Sequence, residues 1–594
     1  MIAVVDIEVF TDYFLISFKE IGTDKTAAFE LFPGAKLDIP RIKKIMEQNT
    51  TVSFNGLSFD LPLIQAALEG YSNEKLKAFS DKIIKSKLPS YKICQQNHIK
   101  VPDTWDHIDL IEIAPGQASL KIYGGRMHCR KMQDLPFDPS EIITPGLRDI
   151  IKTYCFNDLS VTEQLYNTLK PQITLRESMS KQYDIDLRSK SDAQIAEAVI
   201  KSELQKITGK TYSKPEVEEG TKFRYQNPGI ISFSNDNLQE LFENIMLQDF
   251  ELSGSGSIKM PDWLKNTKIK IGSASYQIGI GGLHSCETSQ MIKASDDTIL
   301  CDYDVASYYP SIILQQQLAP KVMAQDFLDL YQSIVTRRLQ AKKAGDKVTA
   351  DTLKICLNGS FGKLGSKYSA LYAPELLIQT TITGQLALLM LIERMEVIGI
   401  KIMSANTDGI VCHASKTLER DMQKVAWDWM LDTSFDLERT DYRLLSARDV
   451  NSYVAIKPNG TVKRKGCFAG NSLSKNPDRA IVYNAVVEFF KSGTPIEQTI
   501  KECTDPRQFV RVRAVKGGAI YKGEKIGKAV RYYSIKPEMF SDDCIYYAIN
   551  GNKVAGSSGC RPLMELPKQL PDDLDFNSYI SEAKQLLVEI GYRA

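Results

Sequence analysis

The sequence of 594 residues lacks several features that would assign it to a specialised class of protein. Its 11 cysteines are scattered singly and form no C-x-x-C pair. This argues against a zinc ribbon, an iron–sulfur cluster or a disulfide framework, and favours a reducing cytoplasm. No apolar run approaches the roughly 20 residues that cross a bilayer. The start, MIAVVDIEVF, has neither a basic region nor a small-residue cleavage site. We therefore expect a cytoplasmic protein with no membrane partner.

The sequence also lacks a strong excess of either charge. The net charge is only +1, although nucleic-acid binders are often strongly basic. Hydrophobic content of 43% and charged content of 25% are ordinary for a globular protein. The length is too great for one core, so we expect three or four compact units.

Strand-like and helix-like patterns alternate along the chain, with no internal repeats. A loop tip is expected at Ser253–Ser257. The pattern predicts two strands within 3–18, strands over Thr298–Val305 and Ile400–Val411, long helices between Phe327 and Met395, and a last helix over Tyr579–Ile590.

Acidic residues at the ends of predicted elements are the first sign of chemistry. Asp6 and Glu8 share one face of a strand because side chains alternate with period two. Asp60 follows at the start of a helical run, and Asp158 comes one helical turn after Tyr154. Such carboxylates bind hard cations such as Mg²⁺ or Mn²⁺, although each pattern alone also suits a solvated end.

In this order the three segments resemble the three motifs of proofreading exonucleases with the DnaQ-like fold. The resemblance implies that Asp6, Glu8, Asp60 and Asp158 hold two metal ions, while Tyr154 orients the attacking water. Two metals stabilise both the attacking and the leaving oxygen of a phosphodiester displacement.

The segment from Asp304 to Ser311, DVASYYPS, follows a strand-like run and resembles motif A of family B DNA polymerases. Tyr308 stands where that family usually has leucine. The resemblance implies that Asp304 and the carbonyl of Val305 are metal ligands, that Ser307 lies at the nucleotide, and that Tyr309 stacks under the deoxyribose. Asp302 falls outside the pattern and is interpreted as structural.

The helical segment KICLNGSFG, residues 354 to 362, resembles motif B of the same family, with Gly359 and Phe361 as departures. Lys354, Asn358 and Phe361 share one helix face at i, i+4 and i+7. Lys354 would neutralise charge on the triphosphate. A second cation is expected from Arg338 or Lys342, between which the sequence does not decide.

The segment SANTDG, residues 404 to 409, resembles motif C and is expected to form a tight hairpin. The family usually has Tyr-Gly-Asp-Thr-Asp-Ser, so Asp408 keeps the metal-ligand aspartate. Asn406 replaces the first aspartate and Gly409 the serine. An asparagine removes one negative charge beside the metals, and we expect activity to survive. Asp304 and Asp408 can meet only if their strands are neighbours.

Other segments suit DNA contacts. Gly281 and Gly282 resemble the family's template-contacting loop, and Tyr453 its Lys-x-Tyr motif without the lysine. Lys465 follows an Asn-Gly turn in a basic run. Residues 505–533 hold eight Lys or Arg against two acids, with interspersed tyrosines, which suits the gripping of duplex phosphates.

The resemblance implies a multidomain α/β and α+β fold: an RNase H-like (DnaQ-like) exonuclease domain and a right-hand polymerase with an antiparallel palm sheet. The expected domains are the exonuclease at 1–185, a bridging region with the first part of the palm at 186–318, fingers at 319–370, the second part of the palm at 371–470, and a thumb at 471–594. Only 49 residues separate Asp304 from Lys354, which leaves no room for the insertions of protein-primed phage polymerases.

We therefore expect a compact polymerase of bacteriophage or viral type that uses two metal ions per site, primer–template DNA and dNTPs. It would act as a monomer in the cytoplasm of the host cell, with phage or host replication factors such as a single-strand-binding protein or a helicase. Two alternatives stay open: a metal-dependent nuclease whose polymerase half only binds DNA, and a non-catalytic scaffold.

Overall fold

The computed structural model describes residues 1–540 and 543–593, so residues 541, 542 and 594 of the expected unit 471–594 lie outside it. The predicted strand over Thr298–Val305 is confirmed to the residue. The predicted N-terminal strand pair, the Ile400–Val411 hairpin, the long helices and the last helix are also confirmed, with ends that differ by a few residues.

The first unit is a sheet with helices packed on its faces. The strands lie in the order β3-β2-β1-β4-β5; β1, β2 and β3 are antiparallel, whereas β4 and β5 run parallel to β1. Its elements are β1 (Ile2–Val9), β2 (Phe14–Glu20), β3 (Thr26–Leu31), α1 (Ile39–Gln48), β4 (Thr50–Ser53), α2 (Asp60–Leu68), α3 (Asn73–Lys85), α4 (Ser90–Gln96), β5 (His107–Asp109), α5 (Leu120–Arg126), α6 (Pro145–Thr168) and α7 (Lys170–Tyr183).

The central part contains a seven-stranded antiparallel sheet in the order β15-β12-β14-β13-β10-β9-β8. Its elements are α8 (Asp192–Thr208), β6 (Lys222–Arg224), α9 (Asp236–Leu247), β7 (Asp249–Glu251), α10 (Asp262–Asn266), β8 (Ile269–Ile271), β9 (Ala274–Ile278), β10 (Leu283–Ser285), β11 (Thr288–Lys293), β12 (Thr298–Val305), α11 (Tyr308–Gln315), α12 (Ala324–Ala344), α13 (Lys347–Leu364), α14 (Pro374–Val397), β13 (Lys401–Asn406), β14 (Gly409–Ser415), α15 (Glu419–Thr433), β15 (Leu437–Asp441), β16 (Leu444–Asp449), β17 (Ser452–Ile456) and β18 (Val462–Arg464).

The helices α12 and α13 form a hairpin because the residues between them end one helix and start the next. α12 ends at Gly345, whose φ of 72° suits a glycine, and the side chain of Asp346 accepts the Thr349 N–H at the start of α13. The hairpin packs its apolar side with residues of α7 and α8.

α14 forms the floor beneath the seven-stranded sheet. It is the one helix among residues 1–540 and 543–593 that is long and apolar enough to span a membrane by length and composition. The expectation that no apolar run approaches the length of a membrane-spanning helix did not take α14 into account. However, 83% of its most apolar stretch is buried inside the protein, where it joins the main core beneath β12, β13 and β14.

The last unit comprises α16 (Ala480–Ser492), α17 (Ile496–Glu502), β19 (Arg511–Tyr521), β20 (Glu524–Ser534), β21 (Tyr546–Tyr547), β22 (Cys560–Pro562) and α18 (Phe576–Glu589). It packs against the first unit. Val512 and Ala529 join Ile122 of α5 in an apolar cluster. The fully buried Arg531 donates to the carbonyls of Cys129 and Leu563 at 2.8 Å each. A buried guanidinium must find acceptors, so Arg531 fixes the two units together.

Candidate active sites

The first candidate site lies where β12 meets the β13–β14 hairpin. β12 pairs with β14 so that Asp304 stands opposite Gly409, and the Val305 N–H donates to the Asp408 carbonyl at 2.7 Å. The expectation that the strands of Asp304 and Asp408 are neighbours is confirmed. Thr407 takes a left-handed conformation, with φ of 61°, in the tight turn that carries Asp408.

Gly409 leaves the space that the Asp304 carboxylate occupies. A Cβ atom at position 409 would lie well inside 3.0 Å of Asp304 Oδ1 and 3.1 Å from the Tyr303 carbonyl oxygen. Cβ atoms essentially never come within 3.0 Å of another heavy atom. The glycine at position 409 therefore allows the Asp304 carboxylate to take its observed position.

Asn406 uses its amide as a donor. Its Nδ2 donates to the Val450 carbonyl at 3.0 Å and to Asn451 Oδ1 at 3.3 Å. These contacts tie the β13–β14 hairpin to the turn between β16 and β17. An aspartate at this position would bring a carboxylate against a carbonyl oxygen, so the amide is the group that fits.

Facing the acids is a basic wall formed by β17, β18 and the residue after β18. Lys463 Nζ lies 3.0 Å from Asp302 Oδ2 and 3.8 Å from Asp304 Oδ2. The Tyr442 hydroxyl also donates to Asp302 Oδ2, at 2.9 Å. Tyr453 and Lys465 complete the wall of a cavity of about 380 Å³ that contains Asp304 and Asp408. Asp302 is thus buried and satisfied by two donors, as a structural residue would be.

The acids of this site interact electrostatically. Burial, and then the charge of Asp302, raise the pKa of Asp304 to about 6, and Asp408 adds to the effect. Burial also raises the pKa of Asp408. Both shifts mean that the site disfavours the negative charge of its own carboxylates and would be stabilised by bound cations.

Beside Asp304 lies a polar and aromatic surface made by α11, α12 and α13. Ser307 has φ of 50°, and its hydroxyl accepts a hydrogen bond from Arg338 Nη1 at 3.0 Å. The Tyr309 and Phe361 rings stack with centroids 4.2 Å apart. Arg338 therefore contacts the Asp304 segment, whereas the other candidate, Lys342, is exposed one turn further along α12.

The face of α13 next to Phe361 carries Lys354 and Asn358, both exposed toward solvent. Close packing against α8 explains why position 359 is a glycine. A Cβ there would lie 2.7 Å from Ala196 Cβ and 2.7 Å from the Asp192 carbonyl oxygen of α8. α13 can therefore approach α8 only with glycine at this position.

Tyr308, at the position where the resembled motif has leucine, is buried under the sheet. Its hydroxyl donates to the Gly384 carbonyl in α14 at 2.5 Å. A Cβ on Gly384 would lie 3.2 Å from the tyrosine ring, so the glycine makes room for the larger side chain.

The glycine loop before β10 contacts both segments of the first candidate site. The Tyr309 hydroxyl donates to the Gly281 carbonyl at 2.7 Å. Gly282 has φ of 154°, and a Cβ there would lie 2.9 Å from the Thr407 side chain. The Thr407 N–H donates to the Leu283 carbonyl at 2.8 Å. The loop is thus held between the Tyr309 segment and the hairpin of Asp408.

The second candidate site lies in the first unit. The structure brings together Asp6 and Glu8 of β1, Asp60 at the start of α2, and Asp158 and Tyr154 of α6. Burial, and then the charge of Asp158, raise the pKa of Asp6 to about 7. Burial also raises the pKa values of Glu8, Asp60 and Asp158, and the acids repel one another. Crowded carboxylates of this kind are a donor set for divalent cations.

Two residues at this site were missed by the sequence reasoning. The Lys121 ammonium contacts both carboxylate oxygens of Asp158 and lies 4.3 Å from the centroid of the Tyr154 ring. The Cys155 thiol donates to Asp6 Oδ2 at 3.5 Å. Cys155 stands three residues before Asp158 on α6, so helical spacing could have related it to the acids. Lys121 lies on a different helix, α5, and no local pattern relates it to them.

Asp109 was also missed. Its carboxylate accepts the N–H groups of Asn55 at 2.7 Å and Leu57 at 3.0 Å, and so holds the loop that leads into Asp60. Asn55 has φ of 71°, a conformation that such hydrogen bonds stabilise.

The interpretation of residues 505–533 as a DNA-gripping surface is wrong for part of the segment. Tyr532, Tyr533 and Arg531 are buried, and Arg511 is paired with Glu582 at 2.8 Å. Arg531 points into the junction with the first unit, and Tyr533 and Arg511 point toward α18. Tyr532 packs in the apolar core of the last unit itself. The exposed lysines of the segment lie toward the tip of the β19–β20 hairpin: Lys516, Lys522, Lys525 and Lys528.

No family model and no curated protein matches the chain. Among solved structures, the chain is similar to the family B DNA polymerase from the hyperthermophilic archaeon Pyrobaculum calidifontis, with 13% sequence identity and a TM-score of 0.40. The alignment covers 100% of this chain and 78% of that chain. A likeness of this degree identifies neither the family nor the function of the chain.

Proposed function

We propose that the chain is a compact, viral-type family B DNA polymerase with an RNase H-like 3′→5′ proofreading exonuclease at its N-terminus. One observation carries the proposal. Asp304 and Asp408 stand on neighbouring strands, and Ser307, Arg338, Tyr309 and Phe361 form a polar and aromatic surface beside them. Such a surface suits a nucleoside triphosphate next to a metal-binding pair of acids.

Divalent metal ions fit both donor sets, because each set brings carboxylate oxygens together: Asp304 and Asp408 line one cavity, and the ligand atoms of Asp6 and Glu8 lie within 4.8 Å of each other. The raised pKa values of Asp304 and Asp6 agree with this. In the synthetic site, Asp304, Asp408 and the Val305 carbonyl would hold Mg²⁺ or Mn²⁺. In the exonuclease site, Asp6, Glu8 and Asp158 would do so, with Asp60 beside them. When bound, two ions supply Lewis-acid stabilisation of the attacking and leaving oxygens.

The side chains around Asp304 bind and orient the nucleotide and the primer. Arg338, already fixed by Ser307, and Lys354 pair with the triphosphate oxygens. We favour Arg338 over Lys342 because of that contact. Tyr309, held by Phe361 and by the Gly281 carbonyl, presents its ring to the sugar and excludes a 2′-hydroxyl.

The remaining surfaces hold the two DNA strands. Gly281 and Gly282 allow the template backbone to approach closely. Tyr453 and Lys465 stand on the opposite wall and contact the primer end, with the Lys465 ammonium neutralising a phosphate. In the exonuclease site, Tyr154 orients the attacking water and Lys121 offsets charge beside Asp158.

The proposal is tested by extension of a 5′-labelled primer on a template with Mg²⁺, comparing wild type, Asp408→Ala and Asp6→Ala. We expect the wild type to extend, Asp408→Ala to lose extension only, and Asp6→Ala to lose only primer shortening. Wild type that shortens the primer under every nucleotide and metal condition would instead identify a nuclease.

A nuclease with an inactive synthetic half is the second candidate, and Asn406 is the observation that favours it, since one acid is missing. The amide of Asn406 is used to hold the hairpin of Asp408, which is a structural role compatible with synthesis. If neither extension nor shortening occurs, the chain is a scaffold.

A further inference from the structure

One lysine lies between two acids of β12 at the synthetic site and comes from a different sheet. Asp302 and Asp304 point to the same side of β12 because side chains alternate along a strand, and both line the same cavity. Lys463 stands on β18, in the sheet of order β11-β16-β17-β18. Its Nζ lies 3.0 Å from Asp302 Oδ2 and 3.8 Å from Asp304 Oδ2. Two carboxylates therefore share one ammonium group.

The two contacts of Lys463 differ in kind. The contact with Asp302 is a charged hydrogen bond to a buried acid, which also accepts from the Tyr442 hydroxyl at 2.9 Å. The contact with Asp304 is too long for a hydrogen bond, and the Asp304 side chain is 46% exposed. Asp302 thus anchors Lys463, whereas Asp304 only attracts it. The lysine can leave Asp304 without losing its anchor.

Lys463 is also the one protein cation close to the proposed metal-binding acids. Within 1–540 and 543–593, no other lysine, arginine or histidine nitrogen lies within 4.0 Å of the Asp304 or Asp408 carboxylate. Buried acids that repel one another are stabilised by a cation, which here is either the ammonium group or a bound ion. The ammonium group and a metal ion therefore compete for the carboxylate of Asp304.

We propose that Lys463 is the counter-cation of the synthetic site before a metal ion binds, that it lowers the affinity of the site for divalent ions, and that Asp302 holds it beside Asp304 in both states. The inference rests on the proposed function and adds what sets its metal affinity. Lys463 and Asp302 are positioning residues, which act through Asp304 rather than as metal ligands. When the ion binds, the ammonium group keeps Asp302 and gives up Asp304.

Binding of Mn²⁺ to the DNA-free protein tests the inference without catalysis. All variants carry Asp6→Ala, which weakens the exonuclease site, and the binding that is lost when Asp408→Ala is added is assigned to the synthetic site. Free Mn²⁺ is measured by its electron paramagnetic resonance signal. Lys463→Met removes the charge and keeps the length of the side chain. We expect it to bind Mn²⁺ at least about tenfold more tightly, because a competing positive charge about 4 Å from Asp304 is gone.

A second pair of variants decides the question even if Lys463→Met does not fold, since that change leaves Asp302 buried without its cation. Asp302→Asn removes the anchor and leaves Lys463 to pair with Asp304 alone, so this variant should bind Mn²⁺ more weakly than wild type. Asp302→Asn/Lys463→Met should bind Mn²⁺ at least about tenfold more tightly than Asp302→Asn. A pair with only a structural role would weaken binding in both variants.

Lys465→Met is the control for the loss of charge alone. Lys465 lines the same cavity, yet its ammonium group pairs with no acid within 1–540 or 543–593. Its removal should change the affinity for Mn²⁺ less than about threefold, because solvent and salt screen a more distant charge. An equal gain in Lys465→Met, or a double variant that binds no more tightly than Asp302→Asn, overturns the inference.

Primer extension gives a second readout and separates the inference from the proposed function. The Mg²⁺ concentration for half-maximal extension should fall at least about tenfold in Lys463→Met, whereas the rate at saturating Mg²⁺ should change less, because the ion has then displaced the lysine in both proteins. A lower maximal rate with an unchanged half-maximal concentration contradicts the inference. Wild type that extends no primer refutes the proposed synthesis, and the Mn²⁺ titration then still decides the role of Lys463.

Discussion

Gly409→Ala is the substitution that most directly tests the position of Asp304. The added Cβ would lie inside 3.0 Å of Asp304 Oδ1, whereas ordinary van der Waals contact begins near 3.4 Å. The carboxylate is the mobile partner, because the other neighbour is the main-chain oxygen of Tyr303 in the sheet. It must move by about 1 Å, and a misplacement of that size costs roughly 100-fold in rate.

The fold should tolerate the change, because position 409 does not need a positive φ and the clash is relieved by rotation of one side chain. We therefore expect primer extension under single-turnover conditions to fall roughly 100-fold. The thermal unfolding midpoint and single-strand degradation should stay at the wild-type level, since the second carboxylate site lies in another unit.

Gly146→Ala is the matched control, since a Cβ there meets nothing within 4 Å. It should behave as wild type in all three assays. Extension by Gly409→Ala at the wild-type rate would refute the reasoning, because Asp304 would then not need the space that Gly409 leaves. A large loss of stability would show that the clash is relieved by the sheet rather than by the carboxylate.

Three further changes follow from contacts in the two sites. Asn406→Asp, although it restores an acid, should lower extension about tenfold, because it removes a donor to the Val450 carbonyl and adds negative charge; faster extension would contradict this. Lys121→Ala should reduce single-strand degradation at least about tenfold, because it removes a charged hydrogen-bond donor from Asp158, and leave extension intact; equal loss of both activities would point to misfolding. Burial lowers the pKa of His107 from 6.5 to about 4, so the folded state holds the neutral imidazole. The free energy of unfolding is therefore highest above pH 6.5 and decreases by up to about 3 kcal/mol as the pH falls toward 4. The unfolding midpoint of wild type should therefore drop over this range more steeply than that of His107→Asn, and parallel curves would contradict the assignment.

The sequence was informative where a chemical group sits at the end of a strongly patterned element. Asp304 lies near the end of one strand-like run and Asp408 in the turn of a predicted hairpin, so the sequence could state the condition for their meeting, which is that their strands are neighbours. The helical hairpin carrying Lys354 could be predicted for the same reason, because its pattern has the helical period.

Contacts between distant segments could not be predicted in this way. Lys121 reaches Asp158 across two helices, and Lys463 reaches Asp302 and Asp304 across two sheets. No local pattern encodes either approach, since each depends on how separate units pack. The same holds for the glycines at 359 and 409, whose reason is a neighbouring backbone or carboxylate rather than a turn.

For the basic segment 505–533, the sequence led to a prediction that is wrong in part, rather than to a missed contact. Composition alone suggested one exposed surface, yet residues 529 to 533 of β20 are buried on both faces of the strand. Arg531 contacts the first unit on one face, and Tyr532 packs in the core of its own unit on the other. Counting charges along a strand cannot separate its two faces when both contain arginine and tyrosine.

The buried Arg531 has a consequence for how such a chain can change over evolutionary time. Removing the first unit would strip this guanidinium of the Cys129 acceptor and expose the apolar cluster around Ile122 and Val512. A truncated chain would therefore carry a charge without its partner and an exposed apolar patch that favours aggregation. Substitution of a single acid such as Asp6 leaves that junction intact. Homologous chains that have lost the carboxylates of the first unit should therefore keep the whole unit as a structural support. Truncation of the unit should be disfavoured.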